Sequence, residues 1–504
     1  MAPVQDFLRP YKEDEKFESL TRQSSTYTPL YSYRLPRGET KQYLQQYGDM
    51  YFLRLAKLKP VVEKIAEEDW QDFEIAGESA QRVERVLDVR QGQLCWVVGT
   101  IYMDMPLKPN ILEDISKEHW IAGPPPRRSY FSADGDTQIM LEDESGRLRL
   151  AGAMLKNTLL VTGVIVAVLG TENANGDFEV LDIHIPELPR QPTRYERDEN
   201  EDEDTIMDID DHPHKKIALI SGLNISGTEA DTLSLSLLSE YLLGESLTTP
   251  DQTASTTVTR LVIAGNSIAS DTIINAQAND SVQKPAHTKK YGYDATAYNP
   301  TPTQHLDAFL SELLPTIPIS IMAGEQDPAN SSLPQQPIHP AMFPYSRAYC
   351  SANINDPDEN DEPGWFDSIT NPWDGDIAGW RFMGNSGQPV DDILRYVDVP
   401  EPSSADGRLE VMESMLRWRC SAPTAPDTLW CYPFQDRDRF VLEACPHVFF
   451  VGNQPKFETT VIDGPGGAQV RLIAIPKFSE SGELVLVDAE TLEVELIKFD
   501  VHQG

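Results

Sequence analysis

Residues 195 to 216 read YERDENEDEDTIMDIDDHPHKK, and the hydrophobic period on one side of this run differs from the period on the other. Its like charges repel and it offers little apolar surface to bury, so it reads as an acidic linker, residues 191 to 214, between two separately built units. At 504 residues the chain is in any case too long for one ordinary core.

On the N-terminal side the expected order is a polar tail (residues 1–30), a helical segment (31–85) and a β-rich unit (86–190). The helical segment is carried by YLQQYGDMYFLRLAKLKPVVEKIAEE, from Tyr43, with apolar residues at helical spacing. From Leu94 the period changes. LCWVVGTIYMDM, TQIMLEDESGRLRLAG and LLVTGVIVAVLGTENANGDFEVLDIHIPE are β-branched and apolar runs broken at Ser145-Gly146 and Asn175-Gly176. Asn-Gly supplies the positive φ angles of a tight hairpin, so the last run predicts two antiparallel strands. About five strands in about a hundred residues suit a small Greek-key barrel of the OB type.

Beyond the linker, residues 215 to 504 alternate: KIALIS, a strand; DTLSLSLLSEYLLG, a helix ending at Gly244; RLVIAG, a strand; TPTQHLDAFLSELLP, a helix; IPISIMAG, a strand. That order predicts a parallel sheet with crossovers. Residues 271 to 300 and 348 to 380 read as two long inserts, and the closing runs HVFFVGN, AQVRLIAIP, GELVLVD and LEVELIKFD as a second sheet packed on the first.

Charge narrows the function classes. With 80 acidic against 42 basic residues the formal charge is -38, which opposes the phosphate backbone of nucleic acid and argues for weak or no direct DNA contact. No run approaches a membrane span, and the first residues lack the basic and apolar regions of a cleavable leader, so an intracellular protein without membrane contact is expected. Five widely spaced cysteines with no CxxC pair read as reduced thiols.

The loops that follow the strands carry the chemistry, or its absence. In position and glycine content they resemble the ligand loops of calcineurin-like metallophosphoesterases, where carboxylates and imidazoles hold two ions ~4 Å apart. The resemblance implies a two-sheet domain whose motifs run DxH, GDxxD, GNH with Asp or Glu, and GHxH. Here SGLNIS puts Gly222 and Asn224 in place of Asp and His, and AGNSIAS puts Asn266 in place of the bridging Asp. AGEQD holds Glu325 for Asn, Gln326 for the catalytic His, and Asp327; FVGNQPKF holds Asn453 and Pro455 for two histidines. FMGNSGQ, 382 to 388, marks a fourth loop without His. Amides, glycine and proline offer no imidazole or shared carboxylate to retain a dinuclear centre, so no catalytic residue, metal or cofactor is expected.

GQLCWVVGTIYMDMPLKPNIL, ISGLNIS, SITNPW, GNSGQPVDDILRY, LRWRCSAPTAPDTLWCYPF and CPHVFFVGNQPKF, in order across both units, resemble the second (B) subunits of eukaryotic replicative DNA polymerases, in the delta branch. The resemblance extends from Tyr31 to Val501. It implies an α/β plus all-β architecture, an OB-type barrel joined to a degenerate two-sheet calcineurin-like domain. It also implies a nuclear, non-catalytic scaffold for replication and repair. Such subunits bind the C-terminal cysteine-rich metal-binding domain of the catalytic subunit and dock a third subunit. They are also expected to serve the catalytic subunit of polymerase zeta in translesion synthesis. Two other classes stay open: a metal-dependent phosphodiesterase or nuclease using Asp327, and a single-strand-binding OB module.

Several residues carry two readings each. Trp365, Phe366 and Trp373 in GWFDSITNPW are either the small core of an insert or partner contacts. Arg417 and Arg419 either end a helix or line the cleft. Tyr102, Arg147 and Arg149 offer the barrel little of the aromatic and basic groove that single strands need. His212 and His214 read as a solvated linker end, and Asp327, Glu325 and the three asparagines as at best weak oxygen ligands for one hard ion.

Overall fold

The structure is a computed structural model describing residues 20–36, 47–75, 77–109, 127–132, 137–195, 215–228, 232–245, 249–269, 299–351, 363–397 and 407–499. Most of the acidic linker, including His212 and His214, most of the 271–300 insert and the middle of the 348–380 insert lie outside the described residues. No helix among the described residues is long and apolar enough to cross a membrane.

The first described strand, β1 (Tyr27–Pro29), falls inside the stretch read as a tail, and it pairs antiparallel with Gly375–Ile377 far along the chain. Two anchors hold this strap. Arg22 donates to the carbonyls of Ser255 (2.7 Å) and Val258 (2.8 Å) and to that of Leu242, while buried Tyr27 stacks on Trp373 with ring centroids 6.4 Å apart. Three residues of strand carry no legible period of their own, so the pairing is a tertiary fact.

Next comes α1 (Gly48–Trp70), one helix with Met50, Arg54, Leu55, Leu58, Val62, Ala66 and Trp70 on its buried face. A two-residue β2 (Gln81–Arg82) precedes the barrel strands β3 (Cys95–Asp104), β4 (Gln138–Glu142), β5 (Arg147–Ala151), β6 (Ile165–Glu172) and β7 (Asp177–His184). Their order is β3-β4-β5-β7-β6, closed by β3–β6, with β5 and β7 parallel. This is the five-stranded barrel that the turn spacing predicts, and β6 and β7 form the antiparallel pair expected around Asn175-Gly176. In β3 both faces are buried: Cys95, Val97, Ile101 and Met103 point into the barrel, whereas Trp96 and Val98 meet Leu55, Leu58 and Val62 of α1. Burial on both faces is why the run lacks alternation.

The larger unit holds two six-stranded sheets. One contains β8 (Lys216–Ile220), β9 (Val258–Ala264), β10 (Ile319–Met322) and β11 (Phe366–Ile369), all parallel, with α2 (Thr232–Leu243), α3 (Thr249–Thr256) and α4 (Thr301–Leu313) in the crossovers. The other contains β12 (Trp373–Ile377), β13 (Trp380–Asn385), β14 (Val448–Gln454), β15 (Glu458–Asp463) and β16 (Gln469–Pro476), in the order β1-β12-β13-β14-β16-β15. The last strands, β17 (Glu483–Asp488) and β18 (Val494–Lys498), return to the first sheet beside β8. The closing runs expected to form one sheet are thus divided between two.

Alternation now has an address. Ile217, Leu219 and Val262 face Phe382, Val448 and Phe450 between the sheets, while Ala218, Ile220 and Ile263 face Leu242, Leu306 and Leu310 of the helices. On the far side Phe449 and Val451 meet Val390 and Ile393 of α5 (Gln388–Tyr396) and Met412 and Met415 of α6 (Arg408–Arg417). Each fully buried aliphatic or phenyl side chain contributes about 1.5–3 kcal/mol.

The 348–380 stretch needs correction. It is not one irregular insert, because β11 completes the parallel sheet and β12 begins the second. Phe366 (1% exposed) and Trp373 (3% exposed) are core residues of those strands, so neither ring is available to a partner.

One of the contacts between the N-terminal unit and the larger unit is built on Arg54 of α1. Its Nε donates to Asp438 Oδ2 (2.7 Å), Nη1 to the carbonyl of Pro423 (2.7 Å) and more distantly to that of Gly163 (3.3 Å), and Nη2 to that of Ala425 (3.0 Å). Gly163 is required: its φ is +93°, and a Cβ there would lie 2.0 Å from the Pro423 oxygen.

Candidate functional site

The parallel strands β8, β9 and β10 end on one side of their sheet, and the ends of β13 and β14 reach the same place from the other. Backbone and side-chain hydrogen bonds tie the five turns together. The Gly222 N–H donates to the Gly265 carbonyl (2.9 Å) and the Asn224 N–H to the Asn266 carbonyl (3.0 Å). The Gln326 N–H donates to Asn266 Oδ1 (3.1 Å), and the Asn453 N–H to Ser221 Oγ (2.8 Å). Asn453 Nδ2 then donates to the carbonyls of Ser386 (2.8 Å) and Ala264 (3.3 Å). Gly222, Asn224, Asn266, Gln326, Asp327 and Asn453 are therefore brought into one cluster, joined by Ser386 of the FMGNSGQ loop. Glu325 and Pro455 stand exposed at its rim.

Backbone shape explains the residue types. Asn224, Asn266 and Asn453 have φ of 47°, 52° and 59°, left-handed values that asparagine tolerates better than other side chains. Gly222 sits at φ 60°, where a Cβ would come 2.8 Å from Asn453 Oδ1.

Asp327 is the cluster's buried carboxylate, 5% exposed. Oδ1 accepts from the Ile268 N–H (3.0 Å) and Oδ2 from the Gly324 N–H (2.8 Å), with the Ser267 and Asn266 amides also facing it. Burial raises its pKa to about 6 against the pull of those amides. Both oxygens are engaged in fixing two loops to each other. Among the described residues no three His, Cys, Asp or Glu side chains gather where they could hold a metal ion.

Comparison with known proteins bears on this cluster and on the barrel alike. Residues 217–459 match the B-subunit family model of DNA polymerases alpha and epsilon, and residues 46–183 the model described as DNA polymerase delta subunit OB-fold domain. The chain is 36% identical to the DNA polymerase delta small subunit of Saccharomyces cerevisiae, over 92% of this chain and 91% of that protein. It is 37% identical to the DNA polymerase delta small subunit of Arabidopsis thaliana, over 91% and 92%. To DNA polymerase delta subunit 2 of Drosophila melanogaster it is 32% identical, over 91% and 94%. The chain belongs to the DNA polymerase delta small-subunit family.

In this member of the small-subunit family, the cluster is braced by an amide network that sequence reasoning missed. Asn371 Nδ2, with two hydrogens to donate, lies within hydrogen-bond distance of Gln335 Oε1 (2.8 Å), Ser386 Oγ (2.8 Å) and Gln388 Oε1 (2.9 Å), and Gln335 Nε2 donates to the Gly324 carbonyl (3.1 Å). Four polar residues from three chain segments meet here, and no local pattern announces them.

The remaining candidates separate by burial. Trp365 is 44% exposed, unlike Phe366 and Trp373. Arg417 donates to Glu413 (2.8 Å) and to Glu187, and Arg419 to the carbonyls of Glu187 (2.6 Å) and Leu188 (3.2 Å). Both arginines thus fasten the end of α6 to the chain leaving the barrel, a correction to the cleft-lining reading. On the barrel, Tyr102 has the Arg147 guanidinium 4.4 Å and the Lys108 ammonium 4.3 Å from its ring centre. Arg147 and Arg149 pair with Glu142 (3.3 Å) and Asp177 (3.6 Å).

Proposed function

We propose that the chain is a non-catalytic accessory subunit of DNA polymerase delta, a scaffold on a degenerate calcineurin-like domain. The observation that carries this reading is the use of Asp327. The buried carboxylate of the strand-end cluster holds backbone amides, and amides or glycine occupy the neighbouring positions where a dinuclear centre would need imidazole and carboxylate. In this role the protein holds the C-terminal cysteine-rich metal-binding domain of the catalytic subunit, docks the third subunit, and is shared with the catalytic subunit of polymerase zeta, in the nucleus. The names of its relatives and the family models over both units support the first part; the rest follows from the family resemblance.

A nuclease or phosphodiesterase reading would need Asp327 free to bind metal. A single-strand-binding reading would need Tyr102 open to a base, and its ring already carries two cations. The test co-expresses the full chain with the catalytic subunit and assays the same preparation for manganese-dependent phosphodiester hydrolysis. A stoichiometric complex without hydrolysis is the expected result. Hydrolysis lost in Asp327→Asn, with no complex, overturns the proposal.

A further inference from the structure

Three side-chain oxygens of the cluster are buried without a hydrogen-bond partner: Asn224 Oδ1, Gln326 Oε1 and Asn453 Oδ1. Unpaired buried acceptors are uncommon, and three on loops bonded to one another call for donors or a cation. The orientation of one of these amides is set by its other end: Asn453 Nδ2 is committed to two carbonyls, which leaves Oδ1 facing elsewhere, while the Asn224 amide meets the Ser479 hydroxyl at 2.8 Å.

Where Asn453 Oδ1 faces is defined by Gly222. A Cβ at position 222 would approach that oxygen to 2.8 Å, so glycine keeps the space beside it open, and Asn453 itself is only 8% exposed. The side chain of Lys477 flanks Gly222 with its Cβ and Cγ, but its ammonium turns to Glu480 (3.0 Å) and supplies no donor. Asp327, the nearby carboxylate, has both oxygens on backbone amides.

The ligand chemistry follows from what is missing and what is present. Divalent ions demand carboxylates or tightly held water, whereas neutral carbonyl-type oxygens replace the loose hydration shell of an alkali cation. The geometry points to a monovalent-cation site, for potassium or sodium, formed by the amide oxygens of Asn224, Gln326 and Asn453. It stands apart from the scaffold reading, because it requires neither a partner subunit nor the loss of an ancestral activity. Its consequence is structural: a cation here links the loops after β8, β10 and β14 and makes their closure depend on salt identity.

The test melts the full chain in potassium, sodium, rubidium or choline chloride at one ionic strength. An alkali cation is expected to raise the melting temperature by about 2 °C over choline. Gln326→Met, which breaks none of the hydrogen bonds described above, is expected to erase that increment. If no cation binds, Gln326→Met only removes an unpaired acceptor, and stability in potassium stays level or rises, which overturns the proposal. Rubidium anomalous scattering from crystals of the wild-type chain gives an independent reading. A peak within about 3 Å of Asn453 Oδ1 supports the site, and ordered water alone overturns it.

Discussion

Two aspartates buried in this protein live under opposite conditions. Asp438, at the junction of barrel and larger unit, meets a full positive charge: its partner Arg54 is 1% exposed and 2.7 Å away. Asp327, in the strand-end cluster, meets only backbone N–H groups. Burial pulls the Arg54 pKa down, but Asp438 beside it more than offsets this and holds the guanidinium above its usual range. At Asp327 burial wins and the pKa rises. Charge is kept in matched pairs where two units must stay in register, and is nearly absent where metal chemistry would have needed it.

The junction should break hardest. Arg54→Leu strands Asp438 in the interior and leaves the Pro423 and Ala425 carbonyls without their donor, so a loss of about 3–5 kcal/mol is expected from denaturant unfolding. The double change Arg54→Leu with Asp438→Leu removes the stranded charge and should recover part of that loss. A double variant no more stable than the single one would show that the carbonyl contacts, not the ion pair, dominate.

Asp327 supplies the contrasting pH dependence. Its folded pKa, about 6, lies above the ordinary 3.8, so the folded state binds the proton more tightly than the unfolded chain. Its contribution to stability is therefore fully present below about pH 4 and is lost as pH rises through 6, a change of about 3 kcal/mol. Subtracting the pH profile of Asp327→Asn from that of the wild type should isolate the fall between pH 4 and 6. Parallel profiles would mean that the backbone amides cancel the effect of burial.

The same contrast marks what the sequence made legible. Barrel strands and the crossovers β8-α2-β9-α4-β10 were readable because burial writes continuous apolar runs and glycine turns into the chain. The loop cluster was readable in location, since each strand ends in a glycine-containing turn. The 365–377 stretch was not: FDSI and WDGDI place Asp and Ser on half-exposed faces and Gly375 on a buried one, and these residue types disguise the pattern that buries Phe366, Trp373 and Ile377. Arg54 was hidden for another reason. Its partner is 384 residues away, and a lone arginine on an apolar helix face carries no sign of what it will meet. Unpaired oxygens and left-handed asparagines are likewise properties of packing, not of composition.

A smaller effect tests why asparagine stands at the cluster. Asn453→Ala and Asn453→Gly both delete the same amide contacts, but only glycine accepts a φ of 59° without strain. The alanine variant should be less stable than the glycine variant by about 1 kcal/mol, reversing the order seen at ordinary positions. Equal stability would mean that the turn relaxes once its side-chain contacts are gone.

The smallest expected effect on stability is the most telling for assembly. Trp365 sits on the surface at the start of edge strand β11, next to a residue, Phe366, that is almost fully buried. A half-exposed tryptophan contributes little to the fold, so Trp365→Ala should change unfolding free energy by no more than about 0.5 kcal/mol. Large aromatics at protein interfaces behave otherwise and can carry about 2 kcal/mol or more of binding energy. Capture of the catalytic and third subunits by the Trp365→Ala chain, compared with wild type at equal folded concentration, separates the two cases. Weakened capture of one subunit with unchanged stability assigns that subunit to the β11 edge. Unchanged capture of both returns Trp365 to the class of ordinary exposed side chains, and leaves the partner surfaces to be sought away from this edge.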